Sequence, residues 1–319
     1  MKHLFIMNPA AGGNKKNGRQ LAADIEAVMK AKAADYEIYW TKAPMDACRK
    51  IEEESAKREK LRVYACGGDG TLNECVNGAA GKKNTAVTHF PRGTGNDFIR
   101  MFGEEAALFS DLKNLVDGEE RPIDLIRCNG RYSANICSVG IDARVGADVH
   151  KYSGIPIIGG AGGYIVSAIV NVLKGISQTY TIKTDGESRE DEFSMVCVCN
   201  GRYYGGGFNP VPEARPDDGI LDILIVEKVS RLKAAQLIGK YAKGRYKEFP
   251  KLIHHIRGER ISIESREEIV VNIDGEAIYD KKVDMEIVKN GVQFLFPKNM
   301  AFFDYETEKT GENIVKQEI

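Results

Sequence analysis

Gly67-Gly68-Asp69-Gly70-Thr71-Leu72-Asn73-Glu74 stands between the apolar run Leu61 to Cys66 and a segment in which Leu72, Cys75, Val76 and Ala79 recur at helical spacing. A strand therefore leads through glycines into a helix. Glycine lets backbone approach an anion closely and aim successive N–H groups at it, and the N-terminus of the helix adds a field that favours phosphate. Asp69 is the one charged group inside the turn, and a phosphate site needs a carboxylate to hold Mg²⁺ or take a proton. A tight strand–helix turn with Asp69 as a helix cap reads equally well from spacing alone. The turn lacks the lysine of a Walker A loop and is not Gly-x-Gly-x-x-Gly, which argues against a P-loop enzyme and against a dinucleotide fold.

On both sides the pattern repeats. Leu4 to Met7 reads as a strand that runs into Asn8-Pro9-Ala10-Ala11-Gly12-Gly13, followed by Leu21, Ile25, Val28 and Met29 at helical spacing. Tyr36 to Thr41 alternates like a strand, and Ala47 to Glu59 reads as a charged helix. Thr85 to Phe90 is a fourth strand, ending in Pro91-Arg92-Gly93-Thr94-Gly95-Asn96-Asp97-Phe98. Strands alternating with helices predict a doubly wound parallel sheet, in which ligands bind at the carboxyl ends of the strands. Each glycine-rich loop alone is a plausible turn; three on three strand ends of one sheet would converge on one crevice.

After about Pro122 strands dominate: Ile123–Arg127, Tyr132–Val139, Thr179–Thr184, Phe193–Cys199, Ile220–Val226, Arg260–Glu264, Ile269–Ile273, Val283–Val288 and Gln293–Phe296. The prediction is an antiparallel β-sandwich domain, so the fold class is α/β plus β. Residues 1–122 would form the nucleotide-binding domain, 123–298 the sandwich, and 299–319 a polar tail that frays or packs back on the first domain. The chain of 319 residues carries 45 Lys+Arg against 46 Asp+Glu, and this near-neutral balance gives no support for nucleic-acid binding. Its seven cysteines include no Cys-x-x-Cys pair and read as buried, reduced thiols of a cytosolic protein. Met1 to Met7 is too short for a signal sequence. Ile155 to Leu173 has no formal charge, but Pro156 and Gly159, Gly160, Gly162 and Gly163 interrupt it, so it is not read as a membrane span. No histidine has zinc-ligand spacing with a cysteine.

The three loops, in this order, resemble the catalytic domain of bacterial diacylglycerol kinases, shared with sphingosine and ceramide kinases. Gly67 to Thr71 matches the family's Gly-Gly-Asp-Gly-Thr signature, Asn8 to Gly12 its Asn-Pro-x-x-Gly segment, and Pro91 to Phe98 its Pro-x-Gly-Thr-x-Asn-Asp-Phe segment. In the second half, Cys199-Asn200-Gly201, Gly205 to Phe208, Pro212, Ala214 and Asp217-Asp218-Gly219 resemble the second-domain signature, and Asp274-Gly275-Glu276 the late acidic motif. The resemblance runs from about residue 4 to about residue 296. It departs from the family pattern at Arg92, where an apolar residue is usual, and at Ile99, where alanine is common.

The resemblance implies an ATP-dependent kinase of a lipid hydroxyl that acts in phospholipid metabolism. The backbone of Asn8, Pro9, Ala10, Ala11 and Gly12 and of Gly67, Gly68, Asp69, Gly70, Thr71, Leu72 and Asn73 would hold the ATP phosphates. Thr41 and Thr94 would border the nucleotide. Asp69 would act on the Mg²⁺ side, and Asp274 or Glu276 would take the proton of the acceptor hydroxyl. On residues alone, Asp274-Gly275 is a good type I′ hairpin turn. The Arg215 to Ile220 loop resembles the family's structural Mg²⁺ site, with the Asp218 carboxylate and the carbonyls of Arg215 and Ile220 as ligands, a hard oxygen set that suits this ion. Residues 231 to 260 carry nine Lys/Arg against two acids; this reads equally as a solvated helix and loop balanced in space by acidic neighbours or as a contact with anionic lipid, with Tyr241, Tyr246 and Phe249 at headgroup level. The expected location is cytoplasmic and peripheral at the inner membrane surface; a homodimer is compatible with the sequence. The alternatives are a kinase of a soluble substrate, of the NAD kinase kind, and a nucleotide-binding module without catalysis.

Overall fold

In a computed structural model, residues 1–11, 15–153 and 175–301 are described. The first half runs β1 (Lys2–Met7), α1 (Lys15–Ala31), β2 (Asp35–Trp40), α2 (Asp46–Lys57), β3 (Leu61–Gly67), α3 (Asp69–Ala79), β4 (Thr85–Pro91) and the short helices α4 (Asp97–Arg100) and α5 (Leu112–Val116). The second half runs β5 (Glu119–Cys128), β6 (Arg131–Ser133), β7 (Ile136–Gly140), α6 (Ile141–Ser153), β8 (Gln178–Lys183), β9 (Ser188–Cys199), β10 (Leu221–Glu227), α7 (Arg231–Tyr241), β11 (Ile253–Gly258), β12 (Arg260–Ile273) and β13 (Glu276–Phe296).

Strands β2, β1, β3 and β4 lie side by side in that order, all parallel. Leu4 to Met7 of β1 are wholly buried because both faces of the sheet are covered, and Leu21, Ile25 and Met29 of α1 bury one stripe against it. Each such fully buried aliphatic side chain contributes roughly 1.5–3 kcal/mol. On α3 the buried stripe is Leu72, Cys75, Val76 and Ala79, as the spacing predicts. The second half is the predicted antiparallel sandwich, with Val139, Phe193, Val196, Ile223, Ile263 and Val271 in its core.

The halves are not joined by a simple linker. Strand β13 pairs antiparallel with β12 and with β5, and its far end pairs parallel with β4 through Gln293 and Phe294. Phe294, Leu295 and Phe296 thereby enter the core of the first half. The boundary expected between residues 122 and 123 falls inside β5.

Three local readings differ from the structure. Tyr132–Val139 is not one strand: it breaks at Ala134 and Asn135, where the chain bends to offer backbone N–H groups to a carboxylate described below. Arg260–Glu264 and Ile269–Ile273 are one strand whose register shifts between them; the intervening exposed charges, Arg266, Glu267 and Glu268, hide its continuity. Val283–Val288 and Gln293–Phe296 are likewise one strand, with an irregularity at Asn290 and Gly291. All seven cysteines are free and buried. No helix among the described residues is long and apolar enough to cross a membrane. The Ile155–Leu173 run and the tail from Asp304 lie outside the described residues.

Candidate active site

The carboxyl ends of β1, β3 and β4 place their three loops in mutual contact. Asn8 Nδ2 donates to Thr71 Oγ1 at 3.1 Å, and Asn8 Oδ1 accepts the Ala10 N–H at 2.9 Å. Thr41 follows β2, and its N–H donates to the Met7 carbonyl at 3.0 Å. A Cβ on Gly67 would stand 2.2 Å from Thr71 Oγ1, and one on Gly93 2.6 Å from Gly68 Cα, so two loops touch backbone to backbone where only glycine fits. The Gly67 carbonyl accepts the Arg92 N–H at 2.8 Å and Nε2–H of buried His89 at 3.0 Å. Burial lowers the His89 pKa, which keeps the ring neutral. Thr94 is exposed at the loop tip. Gly12 lies outside the described residues.

Asp69 does not cap its own helix. Its two oxygens accept the backbone N–H groups of Asp97, at 2.6 Å, and Asn96, at 2.8 Å, so it fastens the β3–α3 turn to the β4–α4 loop. Asp97, which the sequence reading quotes but gives no role, is buried and accepts the Gly206 N–H at 2.8 Å from the sandwich half. Burial first, then the nearby Asp69 carboxylate, pushes its pKa up to about 6; Asp274 adds to the rise. The signal for Asp97 was present, an acid inside a glycine-rich motif, but its partner is a backbone group 109 positions away.

Asp274 and Gly275 are the two central residues of the β12–β13 turn, and both have positive φ, 48° and 97°, as the type I′ reading expects. Its side chain is far from idle. Oδ1 accepts Ser133 Oγ–H at 2.6 Å and the Ile136 N–H at 2.9 Å; Oδ2 accepts the Ala134 N–H at 2.9 Å and Asn73 Nδ2–H at 3.2 Å. The last bond crosses from α3 of the nucleotide half. Burial raises the Asp274 pKa against these four donors. Glu276 is exposed, and its Oε1 lies 3.6 Å from where a Cβ on Gly70 would be. The structure thus gathers Asp69, Asp274 and Glu276 round the Gly67–Asn73 turn. The β6–β7 donors have no sequence signature, because two of the three act through backbone.

The family models matched by the chain are two. The diacylglycerol kinase catalytic domain matches residues 2–128, and the YegS C-terminal NAD kinase beta sandwich-like domain matches residues 135–296. The chain belongs to the diacylglycerol kinase-like family of lipid kinases. A Shewanella frigidimarina protein named "Probable lipid kinase YegS-like" is 28% identical over 281 residues, 87% of this chain and 89% of that one. The crystal structure of a diacylglycerol kinase from Bacillus anthracis superposes with a TM-score of 0.67 at 25% identity, covering 94% of this chain and 98% of the other. A further structure of similar description from the same organism gives 0.71 at 27% identity, covering 93% and 97%. Membership makes the protein a phosphotransferase of the lipid kinase class.

The Arg215–Ile220 loop lies apart from this cluster. Asp218 Oδ1 accepts the Ile220 N–H at 3.2 Å, and its other oxygen pairs with Arg257. Asp217 instead pairs with Arg215, at 2.9 Å from Nε. Asp124 holds the loop from beneath, accepting the Gly219 N–H at 2.7 Å. Of the three expected ligands, the Arg215 and Ile220 carbonyls and the Asp218 carboxylate, the carboxylate is thus engaged by Arg257.

In the segment 231–260 the structure revises the expected layout. Lys240 and Arg245 pair with Glu248, Lys247 with Glu213, and Arg257 with Asp218 and Asp222, so much of the positive charge is balanced in place. Tyr241 and Tyr246 are buried and Phe249 is half-buried, because they pack against the sandwich rather than facing outward. The exposed apolar groups are Leu232 and Ile238 of α7, 72% and 50% exposed. Beneath α7 an apolar pocket is lined by Val145, Met195, Tyr204, Phe208, Leu237 and Ile238.

Proposed function

We propose that the protein transfers the γ-phosphoryl group of ATP to a hydroxyl of diacylglycerol or a related lipid. The observation that carries this reading is the loop Tyr204–Phe208. Its aromatic residues line the apolar pocket while its Gly206 N–H holds Asp97 beside the glycine-rich loops. An acyl chain in the pocket would leave its hydroxyl at the phosphate end. A soluble acceptor would have no use for such a pocket.

The residues divide the work as follows. Backbone N–H groups of Asn8–Ala11 and Gly67–Asn73, with the N-terminus of α3, bind the phosphates. Asp69 holds two loops in register and adds negative charge on the metal side. Among the described residues no three acidic, His or Cys side chains are placed to hold a metal by themselves; Mg²⁺ bound by one or two carboxylates with nucleotide phosphates completing its shell is the usual arrangement. Asp274 takes the proton of the acceptor hydroxyl. Its raised pKa favours that role, and its longest hydrogen bond, from Asn73, is the one a hydroxyl would displace. Incubation with labelled ATP and a mixed-lipid panel, with identification of the labelled product, tests the reading; label only on a soluble acceptor would end it.

Two expectations follow for the outer surface and the metal loop. If Mg²⁺ binds at Asp218, wild-type protein melts higher in Mg²⁺ than in chelator, since a ligand specific to the native state stabilises it by mass action. Asp218→Ala should melt identically in both. Equal wild-type melts would remove Arg215, Asp218 and Ile220 from the metal reading. For the membrane, α7 offers Leu232 and Ile238 with Lys233 and Lys243 nearby. Replacing both apolar residues by Asp should reduce co-sedimentation with anionic vesicles and activity on long-chain lipid far more than activity on a short-chain soluble analogue. Equal losses on both acceptors would place the defect in the site and end the docking role.

A further inference from the structure

Arg92 is the position at which the Pro91–Phe98 segment gains a charge where the resemblance has an apolar residue, and the reaction described above makes no use of it. Its backbone is rooted where two glycine loops touch: its N–H donates to the Gly67 carbonyl at 2.8 Å, and the next residue, Gly93, packs on Gly68. Its side chain leaves this point on the α1 side of the sheet. A Cβ on Gly18 of α1 would meet Arg92 Nη1 at 3.5 Å and the six-membered ring of Trp40 at 3.1 Å, so guanidinium and indole close on one point of the helix. Trp40 is the last residue of β2, immediately before Thr41, and is 36% exposed. Arg92 and Trp40 therefore reach over the carboxyl edge of the parallel sheet from opposite sides.

The guanidinium is half-buried and has no hydrogen bond or ion pair with any other described residue. Asp24 lines a shallow hollow with Arg92, yet its carboxylate accepts Gln20 Nε2–H at 3.0 Å and forms no ion pair with Arg92. A charge drawn partly out of water without a partner is costly, and a guanidinium carries five donors in a planar fork that matches phosphate oxygens. Among the described residues of the three loops, 8–11, 67–73 and 93–96, no other side chain is cationic.

We propose that Arg92 is a phosphate-binding residue for a nucleoside polyphosphate held on the three glycine-rich loops, with Trp40 forming the adjoining wall of that site. The inference rests on the ATP reading and adds to it a charged contact. The phosphate is the ligand of Arg92; the base and sugar are not.

The test is calorimetric titration of the full chain with ATP, ADP and adenosine, for wild type, Arg92→Leu and Arg92→Lys. Trp40, the single tryptophan, gives a parallel fluorescence readout. Arg92→Leu should weaken ATP and ADP about 10- to 100-fold, the size of a lost charge-assisted hydrogen-bonded pair, and leave adenosine affinity unchanged. Arg92→Lys keeps the charge without the fork and should fall between. Trp40 emission should change on ATP binding. If Arg92→Leu melts below wild type, Arg92→Lys carries the comparison. Unchanged ATP affinity in both variants overturns the proposal and leaves the ATP reading standing. An equal loss for adenosine overturns the phosphate contact. Absence of ATP binding by wild type overturns both together.

Discussion

Asp274→Asn is expected to lower turnover by about 10²- to 10⁴-fold, the usual contribution of a positioned general base, and to lower thermal stability as well. The carboxylate accepts four hydrogen bonds, two at each oxygen. An amide nitrogen in place of either oxygen faces donors with a donor, which leaves buried N–H or O–H groups unsatisfied at a cost of roughly 1–3 kcal/mol. Because burial raises the Asp274 pKa, the rising limb of kcat/KM with pH should sit above the ordinary carboxylate value, and the variant should lose that limb. Glu276→Gln, at an exposed side chain, should melt like wild type and lose less activity. Steady-state rates with labelled ATP, taken beside thermal melts, check both. A larger loss in Glu276→Gln would move the proton to Glu276 and leave Asp274 as a strut between β6–β7 and α3.

Asp69→Asn should cost both activity and stability. Read from sequence as a lone carboxylate within an anion-binding turn, Asp69 is expected to be replaceable by Asn with loss of activity and an intact fold. In the structure each Asp69 oxygen accepts one backbone N–H, from Asn96 and Asp97. One of those donors must lose its acceptor in the amide, again at roughly 1–3 kcal/mol, and the β4–α4 loop loses its fixed distance from the β3–α3 turn. Phosphoryl transfer depends on positioning and on charge neutralisation, so a fall in turnover of about 10²-fold or more is expected from misplacement alone. Wild-type turnover and melting in the variant would reduce the tie to an incidental contact.

The parallel sheet and the convergence of its loops were legible because periodicity changes sharply at Gly67, Asn8 and Pro91, and because buried parallel strands read as unbroken apolar runs. The strand count of the second half was less legible. Exposed charges at Arg266 to Glu268 and the irregularity at Asn290 look like ends of strands, yet the ladder continues past both. Side-chain roles depended on partners far away in sequence. Asp274 read as a hairpin residue, and it is one; that its carboxylate is also gripped by Ser133, Ala134, Ile136 and Asn73 could not be inferred, since backbone donors carry no residue signature. The charge balance of the basic stretch near residue 240 was hidden for a similar reason: Glu213, Asp218 and Asp222, outside the stretch, neutralise part of it, and its tyrosines face inward.

Strand β13 bears on how the molecule can be taken apart. A fragment ending near residue 128 would lack Phe294, Leu295 and Phe296 and would expose the outer edge of β4, where Ala86 and Val87 otherwise pair with Gln293 and Phe294. An uncovered edge of this kind recruits other chains. Such a catalytic half should be expressed as aggregate, whereas the same residues co-expressed with 123–301 should be recovered as a soluble complex. The intact chain should unfold in one calorimetric transition, with van't Hoff and calorimetric enthalpies in agreement, rather than in two. Two domains by sequence match should therefore behave as one cooperative unit.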